Sequence, residues 1–319
     1  MSRTTHLEQA GRYACILFDK AFKVTICREE NEELLREIIQ LLVPGKRISH
    51  LSFNRNENSG LVVSEKSVIF DMICTDADTG TKFVVELQFA EQHSYQDRML
   101  CYATYPIRAQ LAEKLKGRSD EKEIDRMDYT LTPTYVVSLV NFSLKHEDAS
   151  ALESNGLISR YAICNEGNGE LMTDALHFVY LELDRLEYGP DEPHKCRNLL
   201  EQFAFSMKYI HTFTERPEGF DNPLLQHLYE ATELAQMSVY EREKYESTMR
   251  TWIDDVAEKR FARDKGLEEG RAEGRAEGRA EGRAEAAKDI ARKLLAGGVS
   301  PEQTAAWTGM SKEEILSLK

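Results

Sequence analysis

Asp71, Glu86 and Gln88 are the residues whose types and spacing could do chemistry in this chain. They fall in the stretch from Lys66 to Tyr102, KSVIFDMICTDADTGTKFVVELQFAEQHSYQDRMLCY. Side chains in a strand alternate with a period of two. Phe83, Val85, Leu87 and Phe89 therefore share one face, and Val84, Glu86 and Gln88 the other. Ahead of them, Ile69, Asp71 and Ile73 alternate with Phe70, Met72 and Cys74. Both runs are apolar on both sides, the pattern of strands buried on two faces. An acid in such a strand is costly unless something pairs with it. Asp78-Thr79-Gly80 supplies hairpin chemistry, because Gly takes a positive φ and Asp tolerates it. A hairpin closing there sets Asp71 opposite Glu86, and directly opposed residues lie about 4.5–5.5 Å apart on one face. Two carboxylates so placed can share a hard divalent cation, Mg2+ or Mn2+, which takes oxygen ligands and keeps several waters. A slip of one residue would turn Asp71 to the wrong face.

The surrounding elements must hold this pair. Phe18 to Val24 reads as one helical turn, and Glu29 to Leu42 as a helix burying Leu34, Leu35, Ile38, Ile39 and Leu42. Glu29, Glu30, Glu32 and Glu33 crowd its first turns, where the helix dipole favours acids, and Pro44-Gly45 ends it. Residues 1–14 show no period and read as a poorly ordered lead. Leu51 to Asn56 reads as a strand followed by a polar turn. Ser94 to Leu115 reads as a helix with Met99, Leu100, Ala103, Ile107 and Leu111 as its apolar stripe and a kink at Pro106. Gly117 to Asp128 reads as a charged surface loop. Tyr135 to Phe142, Leu157 to Cys164 and Phe178 to Leu183 read as further strands. The sum is an α/β arrangement, a mixed sheet flanked by helices.

Bulk properties bound the function. With 319 residues the chain can bury one substantial domain and carry appendages. Charged residues make up 30% and mean hydropathy is -0.50. No apolar run approaches the roughly 18 residues of a membrane helix. The first residues lack a signal-peptide core, so the expected location is cytoplasmic, away from membranes. Cys15, Cys27, Cys74, Cys101, Cys164 and Cys196 form no CxxC pair and read as reduced structural thiols. The 8 histidines show no ligand spacing, and His93 reads as a surface or supporting residue. A net charge of -14 opposes broad nucleic-acid affinity, although Arg108, Lys114, Lys116 and Arg118 form a local basic cluster.

An Asp on one strand, a hairpin, then Glu-X-Gln on the next resembles the PD-(D/E)XK nucleases. More narrowly, the chain is similar to the bacterial PD-(D/E)XK nuclease family transposases and the related Rpn-like recombination-promoting nucleases. Asp19-Lys20-Ala21-Phe22-Lys23 before the first long helix also fits, as do Gln96-Asp97-Arg98 and Tyr102 after Glu-X-Gln. So do the stretch from Tyr129 to Tyr135 and the triplet Leu181-Glu182-Leu183. The resemblance implies a restriction-endonuclease-like fold and a metal-dependent DNA endonuclease linked to transposition or recombination. Asp71 and Glu86 would be the metal ligands and, with Gln88, the catalytic set. Phe70 replaces the usual Pro, and Gln88 stands where Lys is usual. Gln can orient a water but carries no charge. Lys66 either restores that charge or starts the strand at the solvent edge. Gln96 or Arg98 would contact the scissile phosphate or a site carboxylate; otherwise Arg98 makes a surface ion pair. One of the acids opening the long helix could also serve a metal, although the helix dipole accounts for them. The alternatives are an inactive protein of the same fold working through protein contacts, and a nuclease acting on RNA.

The C-terminal part is helical. Leu199, Leu200, Phe203 and Met207 form one stripe, and Leu224, Leu228, Ala231 and Leu234 another. A long charged helix begins near Ser238, with Met249, Trp252, Ile253 and Val256 as its apolar side. From Gly266 to Glu285 the unit Gly-Arg-Ala-Glu recurs every four residues. It is either a seam for a homo-oligomer, pairing Arg with Glu across close glycine faces, or a spacer. Ala286 to Lys319 carries three short helices marked by Gly297-Gly298, Ser300-Pro301 and a capping box at Ser311. Ile290, Leu294, Leu295, Val299, Ala305, Trp307, Ile315 and Leu318 would form its core. The turn before the last helix resembles a helix-turn-helix, with protein contact at least as apt as DNA reading. The expected divisions are a nuclease core over 1–190, a helical region over 191–264, the repeat over 265–287 and a small tail over 288–319.

Overall fold

The central hairpin forms with the register its turn dictates. In the computed structural model, which describes residues 11–53, 71–116, 128–146, 152–153 and 156–318, β2 (Met72–Asp76) and β3 (Lys82–Gln88) pair antiparallel. Gly80 takes the left-handed conformation at φ 71°. Asp76 holds the turn: its carboxylate accepts the Thr79 amide at 3.1 Å and the Ser49 amide at 3.2 Å. Burial pushes its carboxyl pKa up, but the hydrogen bonds from Thr79 and Ser49 outweigh burial and hold it below the usual range.

The hairpin lies within a six-stranded mixed sheet of order β1-β2-β3-β4-β6-β5. β1 (Leu51–Phe53) pairs antiparallel with β2, and β4 (Thr134–Val140) runs parallel to β3. β6 (Leu176–Glu182) runs parallel to β4, and β5 (Ile158–Ala162) closes the edge antiparallel to β6. The expected strand over residues 51–56 is described only to Phe53, and the turn after it lies outside the described residues, as does the loop over 117–127.

Both faces of the sheet are buried. On one, Ile73, Val84, Val136, Leu176 and Tyr180 pack with Tyr95, Met99 and Ala103 of α3 (Tyr95–Leu115). Leu100, expected in the α3 stripe, is 53% exposed instead. Tyr95 and Pro106 take buried places, because the stripe follows 95, 99, 103 and 106 and Leu100 falls outside it. On the other face Phe83, Val85 and Leu87 are buried, and α1 (Asp19–Thr25) packs on β3. α2 (Glu32–Leu42) buries the five residues its period predicts and packs against α5 (Pro223–Ala231). α4 (Leu199–Tyr209) buries Phe203, Phe205 and Met207 and packs against α5.

Residues 11–14, the described end of the expected lead, are tied into the fold. Residues 1–10 lie outside the described residues, but Tyr13 and Ala14 are buried. The Arg12 amide donates to Phe213 O at 3.1 Å and the Ala14 amide to Thr232 O at 2.7 Å. Gly11 is required there, since a Cβ would sit 2.1 Å from the His211 carbonyl oxygen.

The chain divides into two units, one up to Glu246 and one from Ser247 onward. α6 (Val239–Ala296) is one helix of 58 residues that runs through the repeat without a break. In the second unit Ala291, Thr304 and Ile315 are buried. α7 (Pro301–Thr308) is capped by Ser300, and α8 (Lys312–Leu316) by a complete capping box of Ser311 and Glu314. Ile290 and Trp307, expected in this small core, are 53% and 66% exposed, their places taken by Ala291 and Thr304. Among the described residues no helix is long and apolar enough to cross a membrane.

Candidate active site

Met72 pairs with Val85, so Asp71, the residue before it, comes opposite Glu86. Each carboxylate caps the ladder where the backbone pairing ends. Glu86 Oε2 accepts the Asp71 amide at 2.9 Å, and Asp71 Oδ2 accepts the Leu87 amide at 2.7 Å. This exchange locks the two side chains on one face of the hairpin, at the end away from its turn. Asp71 is 7% exposed and Glu86 5%. Burial pushes the Glu86 carboxyl up to about 7, against the Asp71 amide and the charges of Arg98 and Lys23, which favour the carboxylate.

Lys23 comes from α1. Its Nζ lies 3.0 Å from Asp71 Oδ1, with the side chain partly exposed. Phe18 and Phe22 anchor that helix in the core, and Phe18 stacks on Phe89, just past the end of β3, at 6.3 Å. This packing fixes where Lys23 reaches. Lys66, the alternative source of charge, lies outside the described residues.

Gln88 is held at both ends of its amide. Its Nε2 donates to Ala90 O at 3.0 Å, and its Oε1 accepts from an Arg98 Nη. An amide oxygen has a second lone pair and the NH2 a second hydrogen, so each end can still serve a ligand. Arg98 reaches across from the first turn of α3. It also donates to Gln92, and its guanidinium lies over the rings of Tyr95 at 5.0 Å and Tyr102 at 5.6 Å. Its Nε is buried without a hydrogen bond. Ser94, just before α3, adopts a left-handed conformation at φ 58°, the only non-glycine among the described residues with positive φ. Strain of this kind persists where surrounding structure over-determines it; here it aims the first turn of α3, with Arg98, at the end of β3.

Of the residues singled out from the sequence, the fold brings together Asp71, Glu86, Gln88, Arg98 and Tyr102. The Tyr102 phenol is pushed up first by burial and then by the Glu86 charge. Gln96 is exposed on the first turn of α3, and His93 is exposed as well. The acids that open α2 are engaged elsewhere, Glu32 accepting the Leu51 amide at 2.7 Å. In the basic cluster near the end of α3, Lys114 is tied to the Asp128 and Thr130 carbonyls.

Sequence reasoning gave no role to Lys23, Tyr95 or Ser138. Ser138 pairs with Glu86 across the parallel β3–β4 ladder. Its Oγ and the Tyr95 Oη are buried and neither makes a well-formed hydrogen bond, although Ser138 is near enough to temper the rise that burial and Glu86 impose on the phenol. Two buried hydroxyls beside a carboxylate make a polar floor beneath the pair.

The donor set fits a hard divalent cation. Two carboxylates lie side by side, each fixed by the other strand's backbone, and the rise that burial imposes on Glu86 is one that a bound cation would oppose. Among the described residues no third His, Cys, Asp or Glu joins them, so waters and a ligand's own oxygens would complete the coordination.

The family model for PD-(D/E)XK nuclease family transposases matches residues 16–262 of the chain. It spans α1, the sheet, the carboxylate pair and the opening of α6. No curated protein and no solved structure matches the chain.

Proposed function

We propose, from the premise that this chain belongs to the PD-(D/E)XK nuclease family transposases, that it is a metal-dependent endonuclease hydrolysing DNA phosphodiesters during transposition or recombination. The observation that carries this reading is the opposition of two buried carboxylates, Asp71 and Glu86, each fixed by the other strand's backbone. They would hold Mg2+ or Mn2+. Such an ion polarises the phosphate and favours deprotonation of the attacking water.

The remaining work falls to the chain. Gln88, its amide turned by Arg98 and the Ala90 carbonyl, orients the water for in-line attack. Arg98 places positive charge beside the pair while the rings of Tyr95 and Tyr102 pack against its guanidinium. In the reaction the water oxygen forms a bond to phosphorus and the P–O3′ bond breaks. One proton leaves the water for solvent and one reaches the departing oxygen, so one water is consumed and a 3′-hydroxyl and a 5′-phosphate result. The repeat in α6 would serve self-association and the short tail a further contact, with the protein acting in the cytoplasm.

Nicking of supercoiled plasmid tests the reading. Purified protein should nick with Mg2+ or Mn2+, fall silent in EDTA, and lose about 10²–10³-fold or more in Asp71→Ala and Glu86→Ala. Nicking that survives both substitutions contradicts it. Metal-dependent cleavage of RNA but not plasmid would transfer the same site to RNA.

A further inference from the structure

The site has a cation on the wrong element. Gln88 occupies the strand position at which a lysine would bring positive charge to the carboxylates. Lys23 brings that charge from the other side, out of α1, with Nζ 3.0 Å from Asp71 Oδ1. It belongs to the same electrostatic cluster, since its charge also acts on Glu86 and on Tyr102. A wholly structural ion pair would close Asp71 off. Here the Lys23 side chain remains 31% exposed against 7% for its partner, so solvent reaches the lysine beside the buried carboxylate. Its four-carbon stem turns about several bonds while the α1 backbone stays anchored by Phe18 and Phe22.

We propose that Lys23 is the catalytic cation of this site, taking the electrostatic part that Gln88 cannot. Without metal it neutralises Asp71 from the position that a divalent ion contests. Were Asp71 and Glu86 to hold a divalent ion, the ammonium would leave Asp71 for a non-bridging oxygen of the scissile phosphate. There it would oppose the negative charge that grows as water attacks. Asp71 thus exchanges one cation for another, and Lys23 is released to the substrate only once the ion is in place. No proton is transferred by Lys23 and no bond to it forms. Asp71 is kept as a carboxylate ready for metal, and an empty site is denied its phosphate contact.

This inference rests on the nuclease reading, and its test separates the two. Lys23→Gln, Lys23→Arg and the double variant Lys23→Gln with Gln88→Lys are compared with wild type. Each is read by calorimetric titration with Mn2+ alone and by single-turnover plasmid nicking at saturating Mn2+. Lys23→Gln should bind Mn2+ about threefold or more tightly, because a competing charge near Asp71 is gone. It should also nick roughly 10²-fold more slowly. Lys23→Arg should keep more activity than Lys23→Gln. The double variant should recover roughly tenfold or more by returning the charge to the strand. Unchanged nicking in Lys23→Gln overturns the assignment. So does joint loss of metal binding and nicking that Gln88→Lys fails to rescue, since Lys23 would then merely hold Asp71 in place. If wild type binds Mn2+ but cuts no DNA, the substrate reading fails and the titration still decides. Tighter binding in Lys23→Gln then supports the exchange, and equal binding overturns it.

Discussion

Glu86 is a carboxyl that the fold keeps against its own preference. Burial lifts it to about 7, well above an ordinary glutamate. Between the ordinary value and 7, the folded metal-free protein binds a proton there that the unfolded chain has released. Stability therefore falls as pH rises through that window and levels off above it. Glu86→Gln removes the slope while keeping an oxygen for the Asp71 amide. In EDTA the variant should match wild type near pH 4.5 and exceed it at pH 8 by on the order of 2 kcal/mol, read from urea unfolding. A variant equal to or less stable than wild type at pH 8 would show that Glu86 is not strained. Saturating metal should reverse the order, because only wild type gains binding energy. Gln88 and Arg98 form a second unit at this scale. The amide has no charge, and its value lies in being turned by the guanidinium, so the two act together.

The β2–β3 hairpin sets the site, and its register was legible from one turn to within a residue. Asp78-Thr79-Gly80 marked where the chain reverses and alternation marked the faces, leaving a slip of one residue open; the Met72–Val85 pairing closes it and brings Asp71 opposite Glu86. The sequence gives less where no turn sets the register. Ser138 meets Glu86 across parallel strands joined by a long crossover, so nothing local pairs them. Lys23 is distant along the chain and reaches Asp71 only because Phe18 and Phe22 anchor α1 near β3. The stretch Asp19-Lys20-Ala21-Phe22-Lys23 stood out in the sequence, but nothing local in it showed that its second lysine would reach Asp71. Gly11 to Ala14 looked featureless because their burial depends on backbone bonds to residues 213 and 232–234. α6 presents the opposite case, a regular helix from an unfavourable sequence. Gly270, Gly274, Gly278 and Gly282 each cost about 1 kcal/mol relative to Ala, and like charges recur at i+4. Nothing lies within 4 Å of where a Cβ would stand at any of the four. Replacing all four by Ala should raise local helix stability by about 3–4 kcal/mol, seen as a higher helical melting midpoint by circular dichroism. Plasmid nicking should be unaffected. Loss of self-association in the variant would instead assign the glycines to a close helix seam.

At the scale of the whole molecule, charge and family pull in different directions. A net charge of -14 opposes gathering nucleic acid by bulk attraction, so substrate engagement must rest on local cations. Lys23 and Arg98, arriving from opposite sides of the carboxylates on α1 and α3, supply them where the reaction would occur. The family model reaches only to residue 262, so the later part of α6 and the two short helices after it lie beyond the nuclease portion. The small tail carries Trp307 outward at 66% exposure, which suits a contact surface better than a core. Everything proposed about the reaction depends on one property, the ability of Asp71 and Glu86 to hold a divalent ion together. Calorimetric titration of the metal-free chain with Mn2+ at pH 8 measures it directly. The account predicts one ion per chain for wild type, lost in both Asp71→Ala and Glu86→Ala with the fold intact by circular dichroism. Binding that persists unchanged in either variant, or no binding by a folded wild-type chain, would contradict it.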